Sequence, residues 1–202
     1  MPDRDRNARD RNDRDRNALG RAENQRPRDR TGRPLPYDTT ETALAEEASY
    51  DTVDGALAAG VALWDEERYF EAHECLEDVW HHAAPEDREF WKGVIQIAVG
   101  CVHHQRGNAS GAVTLLERAV ARLQAYPDVH HGVDVEELVV FALGAVAAMR
   151  DAGFTVEVGY PEFPRMDDGP WVDAPDAPPT PLSREPAWRA AAAPPDAAPD
   201  PE

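Results

Sequence analysis

The sequence predicts an all-α fold: a single helical bundle of about five helices, built on antiparallel helical hairpins and flanked by disordered termini. Three observations lead there. Apolar residues recur with helical spacing from about Asp51 to Met149. The connections between these stretches are short and carry breakers, at Pro85, Arg106-Gly107-Asn108 and Pro127 to Gly132, which makes neighbouring helices antiparallel. Both ends of the chain are too simple in composition to bury a core.

The first helix starts at Asp51 or Thr52, either of which is a good N-cap. Val53, Leu57, Gly60, Val61 and Trp64 form its apolar stripe. The second runs from about Tyr69 to His82, with Ala72, Cys75, Leu76, Val79 and Trp80 on its apolar arc. After Pro85, Glu86 and Asp87 favour the positive end of a third helix, which reaches about Gln105. Gly107 supplies a C-cap and Asn108 the next N-cap. The fourth helix carries Ala112, Leu115, Leu116, Ala119, Val120 and Leu123, and the fifth runs from Asp134 or Val135 to about Arg150. A weak repeat at an offset of 40 aligns Ala72 to Glu77 with Ala112 to Glu117, a helical-hairpin pattern in which His73 stands where the second copy has Val113.

The expected organisation is a head over residues 1–36, a helical domain over 37–154 and a tail over 155–202. Residues 1–33 hold 11 Arg, seven acids, one Leu and no aromatic residue. Twelve of the 18 prolines fall between Pro161 and Pro201, and such a stretch continues neither a helix nor a central strand. Thr155 to Tyr160 is a candidate extended piece lying on the core, and Trp171 and Trp188 are candidate anchors of the tail.

Charge narrows the function class. The 21 basic residues face 39 acidic ones, a net charge of −18. That balance argues against binding nucleic acid through phosphate neutralisation and against docking on an anionic membrane. The longest apolar run, Leu138 to Met149, has 12 residues, short of the roughly 18–20 that span a bilayer. The amino terminus has no apolar signal region, and two cysteines make no disulfide framework. A cytoplasmic protein is expected, with a protein partner or a homo-oligomer as its association. Lys92 is the only lysine; an acidic, lysine-poor chain fits life in molar salt, where self-repulsion is screened.

Several polar residues do not fit a simple core. His73 and Glu77 are one turn apart at the edge of the second helix's apolar arc, flanked by Trp80 and Leu76 on one side and Phe70 on the other. Glu71, Glu74 and Asp78 are expected toward the more solvated side. A neighbouring carboxylate would favour protonated His73. On the third helix, Glu89, Gln96 and His103 form a polar stripe spaced by seven, with Lys92 beside it and Gly93 and Gly100 along its edge. Two glycines on one edge imply close approach of another helix. If the second and third helices pack antiparallel, His73, Glu77, Gln96 and His103 converge in one cleft.

Three readings follow. His73, Glu77 and His103 bind a divalent metal such as zinc, with Glu74 or Glu77 as general base on its water. The same residues form a buried hydrogen-bond network that sets helix register. Or the cleft is a groove of a non-catalytic protein-interaction module. The pattern His-Glu-x-x-Glu differs from the His-Glu-x-x-His of zinc proteases. His81 and His82 suit a helix C-terminus, and His104 is expected to be packing or exposed. His130 and His131 are expected to be solvated loop residues. Cys75 and Cys101 are expected to be small core residues.

The stretches Phe70 to Trp80, Arg88 to Gln96 and His103 to Asn108, with Gly111 and Ala112, resemble domain-of-unknown-function family 309 over roughly Gly55 to Leu123. The resemblance implies a small all-helical bundle of bacteria and archaea, labelled a predicted metal-dependent hydrolase. Its motif positions here are Glu71, His73, Glu74, Glu77, Trp80, Phe90, Gly93, Gln96, His103, Gly107 and Asn108. The implied polar cleft includes Gln96, Trp80 and Glu71.

Overall fold

The computed structural model describes residues 27–36, 48–152 and 156–165. The Arg-rich stretch before residue 27, and Trp171, Trp188 and the Pro-rich stretch after residue 165, lie outside the described residues. The chain divides into two compact units, Met1–Ala45 and Glu46–Glu202. In the first, residues 27–36 make a turn closed by a bridge between Arg28 and Pro34. The Asp29 carboxylate accepts from the backbone N–H of Thr31 and of Arg33, each at 2.9 Å.

The second unit is an all-α bundle. Its helices are α1 (Val53–Asp65), α2 (Tyr69–His82), α3 (Arg88–Gln105), α4 (Ala109–Leu123) and α5 (Val135–Ala152). A two-stranded hairpin, β1 (Val129–His130) and β2 (Val133–Asp134), precedes α5. Caps account for the boundaries. Thr52 Oγ1 accepts from Gly55 N at 3.1 Å to open α1, Asn108 Oδ1 from Gly111 N at 3.0 Å to open α4, and Asp134 Oδ1 from Glu137 N at 2.9 Å to open α5.

Each helix packs mainly on its neighbours in the chain: α1 on α2, α2 on α3, α3 on α4 and α4 on α5. The central α3 buries Phe90, Trp91, Val94, Ile95, Ile97, Ala98, Cys101 and Val102, which is why its sequence is apolar nearly all round. The glycine edge meets α4. A side chain at Gly93 would strike Leu123, and one at Gly100 would strike Leu116.

The 40-residue repeat extends through both hairpins. Gly60 approaches Leu76 and the Ala72 carbonyl, as Gly100 approaches Leu116 and the Ala112 carbonyl. Helices α1 and α3 both end on a left-handed residue, Glu67 at φ 58° and Gly107 at φ 73°. Both ends carry the same pair of bonds: Glu67 N to Trp64 O with Arg68 N to Leu63 O, and Gly107 N to His104 O with Asn108 N to His103 O.

Residues 156–165 lie against the helix ends. Trp64 Nε1 donates to Pro161 O at 3.0 Å, and Phe163 is buried edge-on against Trp64. His104 Nε2 donates to Val156 O at 2.9 Å and its Nδ1 accepts from Tyr160 Oη at 2.5 Å. His104 is therefore a packing residue. Among the described residues, no helix is long and apolar enough to cross a membrane.

Candidate functional site

Among the described residues, the histidines and carboxylates of α2 and α3 supply no group of three ligand atoms within reach of one ion on their own. The reason is which helix the α3 stripe faces. Because Gly93 and Gly100 admit the leucines of α4, the stripe beside them meets α4 and not α2. Arg122 of α4 donates from Nη1 to Gln96 Oε1 at 3.0 Å and from Nε to Glu89 Oε2 at 2.9 Å. Lys92 lies 3.6 Å from Glu89. His103 Nδ1 accepts from the Asn108 amide at 2.8 Å, and the two side chains fill the space above Gly111.

His73 is bound to its own helix. Its Nδ1 donates to the Phe70 carbonyl, which fixes the proton on Nδ1 because a carbonyl can only accept. Burial lowers its pKa, outweighing the exposed carboxylate of Glu77, which acts the other way; Arg106 reinforces burial. The expected protonation by Glu77 is thus reversed. The His103 pKa is also lowered, by burial and then by Arg106. A guanidinium that disfavours positive charge on both imidazoles also disfavours a metal cation between them.

The remaining candidates are dispersed. Glu71, expected toward solvent, is 2% exposed. Arg68 folds over it, donating to Oε1 from Nε at 3.3 Å and from Nη2 at 3.1 Å, so the buried carboxylate is paired. Glu74 and Glu77 are exposed. Trp80 is half-buried under the Arg88 guanidinium, 5.9 Å from the ring centre. His73, Glu77 and His103 therefore do not form a donor set that fits the metal implied by the family resemblance. Cys75 and Cys101 are buried, and burial pushes both thiols up, away from the reactive thiolate.

A different set does come together. Among the described residues, one group offers three metal-type ligand atoms within 4.8 Å of one another: Asp87, His130 and His131. His130 Nε2 lies 2.8 Å from Asp87 Oδ1 and His131 Nε2 lies 2.9 Å from Oδ2. The expectation that these histidines are solvated is corrected. Phe90, Tyr126 and Trp91 pack around them, with ring centres 4.7 Å (Phe90 to His130), 4.9 Å (Tyr126 to His130) and 6.0 Å (Trp91 to His131) apart. Burial would raise the Asp87 pKa, but the two imidazoles that face it, His130 and then His131, outweigh burial and hold the carboxyl below its ordinary value. One signal was readable. His131-Gly132 between two short Val-containing pairs is a two-residue hairpin cue, and both residues adopt positive φ, 49° and 69°. The partner, Asp87, lies too far along the chain for any local pattern to reveal.

Residues 57–115, from α1 into α4, match the family model described as "Domain of unknown function (DUF309)". Over 58 residues the chain is 45% identical to a protein of Bacillus subtilis (strain 168) named "Uncharacterized protein YpuF", covering 28% of this chain and 33% of that protein. Over 121 residues it is 24% identical to an "Uncharacterized protein" of Aquifex aeolicus (strain VF5), covering 59% of this chain and 32% of that one. The chain thus spans about a third of the length of these curated relatives. His130 and His131 fall outside the family match.

Proposed function

We propose that this chain is a non-catalytic interaction module that docks a protein partner on the outer face of α5. The observation that carries this reading is the face itself. Val140 is 62% exposed and Leu143 49%, and Gly144 and Ala147 are exposed on the same helical stripe. The last helix of a stack would ordinarily turn polar side chains outward. Anchors at such spacing suit a partner helix with an apolar stripe of its own.

Charge selects the occupant. Glu136 and Glu137 are exposed at the start of α5, and the chain as a whole carries −18. Such a field attracts an amphipathic helix with a basic rim and repels a second copy of this chain. The hydrolase alternative would need His73, Glu77 and His103 to close on one ion, with Glu74 or Glu77 as base. Both rings would first have to leave the bonds described above, and Arg106 would have to move away, so a structural role for these residues is the better supported one.

The test uses a labelled amphipathic Leu/Lys peptide and a scrambled peptide of the same composition, measured by fluorescence anisotropy. The helix-forming peptide should bind saturably and more tightly than the scramble. Val140→Ser with Leu143→Ser should weaken it at least about tenfold, since two anchors are lost without a change of charge. Equal binding of both peptides, or no effect of the double variant, would remove the docking face. Stoichiometric metal in purified protein that His73→Ala abolishes would restore the hydrolase reading.

A further inference from the structure

The N-terminus of α3 is built in an unusual way. Asp87 occupies the N-cap position, where a carboxylate ordinarily accepts from the backbone N–H groups of the first turn. Its side chain makes no such bond. The Phe90 N–H, third in the helix, is capped by Tyr126 instead, whose hydroxyl accepts from it at 3.1 Å and donates to Glu86 O at 2.8 Å. Tyr126 thus frees both oxygens of Asp87 to face His130 and His131.

His131 is placed with comparable specificity. It is one of two described non-glycine residues with positive φ, a conformation that disfavours most side chains. Asn is the usual residue at this place in a two-residue hairpin turn; here an imidazole is held there and aimed at Asp87. Its Nε2 is 2.9 Å from Oδ2 but off the line a hydrogen bond requires, and that buried atom has no hydrogen-bond partner. An ion placed between the nitrogen and the carboxylate would satisfy it.

We propose that Asp87, His130 and His131 bind one divalent cation of the zinc type through a carboxylate oxygen and the two Nε2 atoms, clamping the β1–β2 hairpin to the start of α3. Two imidazoles and one carboxylate form a borderline donor set that suits zinc and its transition-metal neighbours and disfavours magnesium or calcium. Donors on one tetrahedral zinc lie about 2.0–2.2 Å from it and so about 3.3–3.5 Å from one another. The present set, within 4.8 Å, needs ring movements of about an ångström to close on one ion. The Asp87, His130 and His131 side chains are 16%, 24% and 19% exposed, so the cluster borders solvent. Phe90, Trp91 and Tyr126 shield the rest.

This site is independent of the α5 docking face. The test is titration of the metal-free full chain with zinc chloride, and with magnesium chloride as control, followed by calorimetry and thermal melting. One zinc should bind per chain and raise the melting temperature, because the ion binds the folded state; magnesium should not. His131→Asn keeps a residue suited to the left-handed turn, so the metal-free protein should melt no lower than wild type. Its zinc affinity should fall by more than the about 10–100-fold typical of outer-shell changes, and Asp87→Asn should do the same. His73→Ala should bind zinc as wild type does. Absence of stoichiometric zinc binding would overturn the proposal. So would His131→Asn and Asp87→Asn proteins that bind like wild type, or binding lost only in His73→Ala.

Discussion

A histidine at the edge of an apolar helix interface can limit its desolvation penalty in two ways. It can pair as a cation, or it can stay neutral and donate to a carbonyl. Glu77, one turn away, offers the first route, but it is exposed and so largely screened by water. The Phe70 carbonyl offers the second within the same helix, and His73 takes it. A folded-state pKa below the unfolded value of about 6.5 has a definite consequence. The stability gained from neutral His73 is fully present above the unfolded pKa and is lost as pH falls toward the folded one, because the unfolded chain then binds the proton first. The sister position in the second hairpin, Val113, indicates the variant to make. His73→Val should flatten the loss of stability between about pH 7 and pH 5, by up to one proton's worth, about 1.4 kcal/mol per pH unit. Urea melts of both proteins across that range measure it. An unchanged or steeper acid limb would mean that His73 is charged in the fold.

Elements were legible wherever their signals are local. Thr52 and Asn108 announce helix starts through a side chain that reaches three residues ahead, and Gly107 announces an end because its backbone is left-handed. Glu67 gives no such notice, although it adopts the same conformation at the matching place of the first hairpin. The neighbour of the α3 polar stripe was not legible, since periodicity gives the face of a helix and not the partner it meets. The glycine edge held that information, and it selects α4. An added methyl at Gly100 would lie 2.8 Å from Leu116 Cδ2 and 2.9 Å from its Cγ. Gly100→Ala gains about 1 kcal/mol of helix propensity but overpacks the crossing by about 1–3 kcal/mol, so it should destabilise by up to about 2 kcal/mol. Leu116→Ala alone should cost about 2–5 kcal/mol. With Leu116 already truncated, Gly100→Ala should become neutral or stabilising. Chemical denaturation of the four proteins closes this cycle; additive effects would place the close contact elsewhere.

At the scale of the whole molecule, charge is the property that no single element explains. Residues 34–202 carry a net −22 and a single lysine. The exposed pairs that oppose this repulsion are few among the described residues, such as Arg150 with Glu117 at 2.5 Å and Arg122 with Glu89 at 2.9 Å. Each is worth at most about 1 kcal/mol. Salt weakens these attractions and the repulsion together, and the repulsion is the larger because so many like charges contribute to it. Shortening the screening length from about 10 Å at 0.1 M to about 3 Å at 1 M therefore stabilises the fold. The melting temperature of the full chain should rise by several degrees between about 0.1 M and 2 M KCl. Metal-free protein is the right sample, because zinc at Asp87, His130 and His131 would stabilise the chain at any salt and mask the trend. A flat or falling curve would show that the acidic surface is not a burden on the fold, and would remove the argument for adaptation to molar salt.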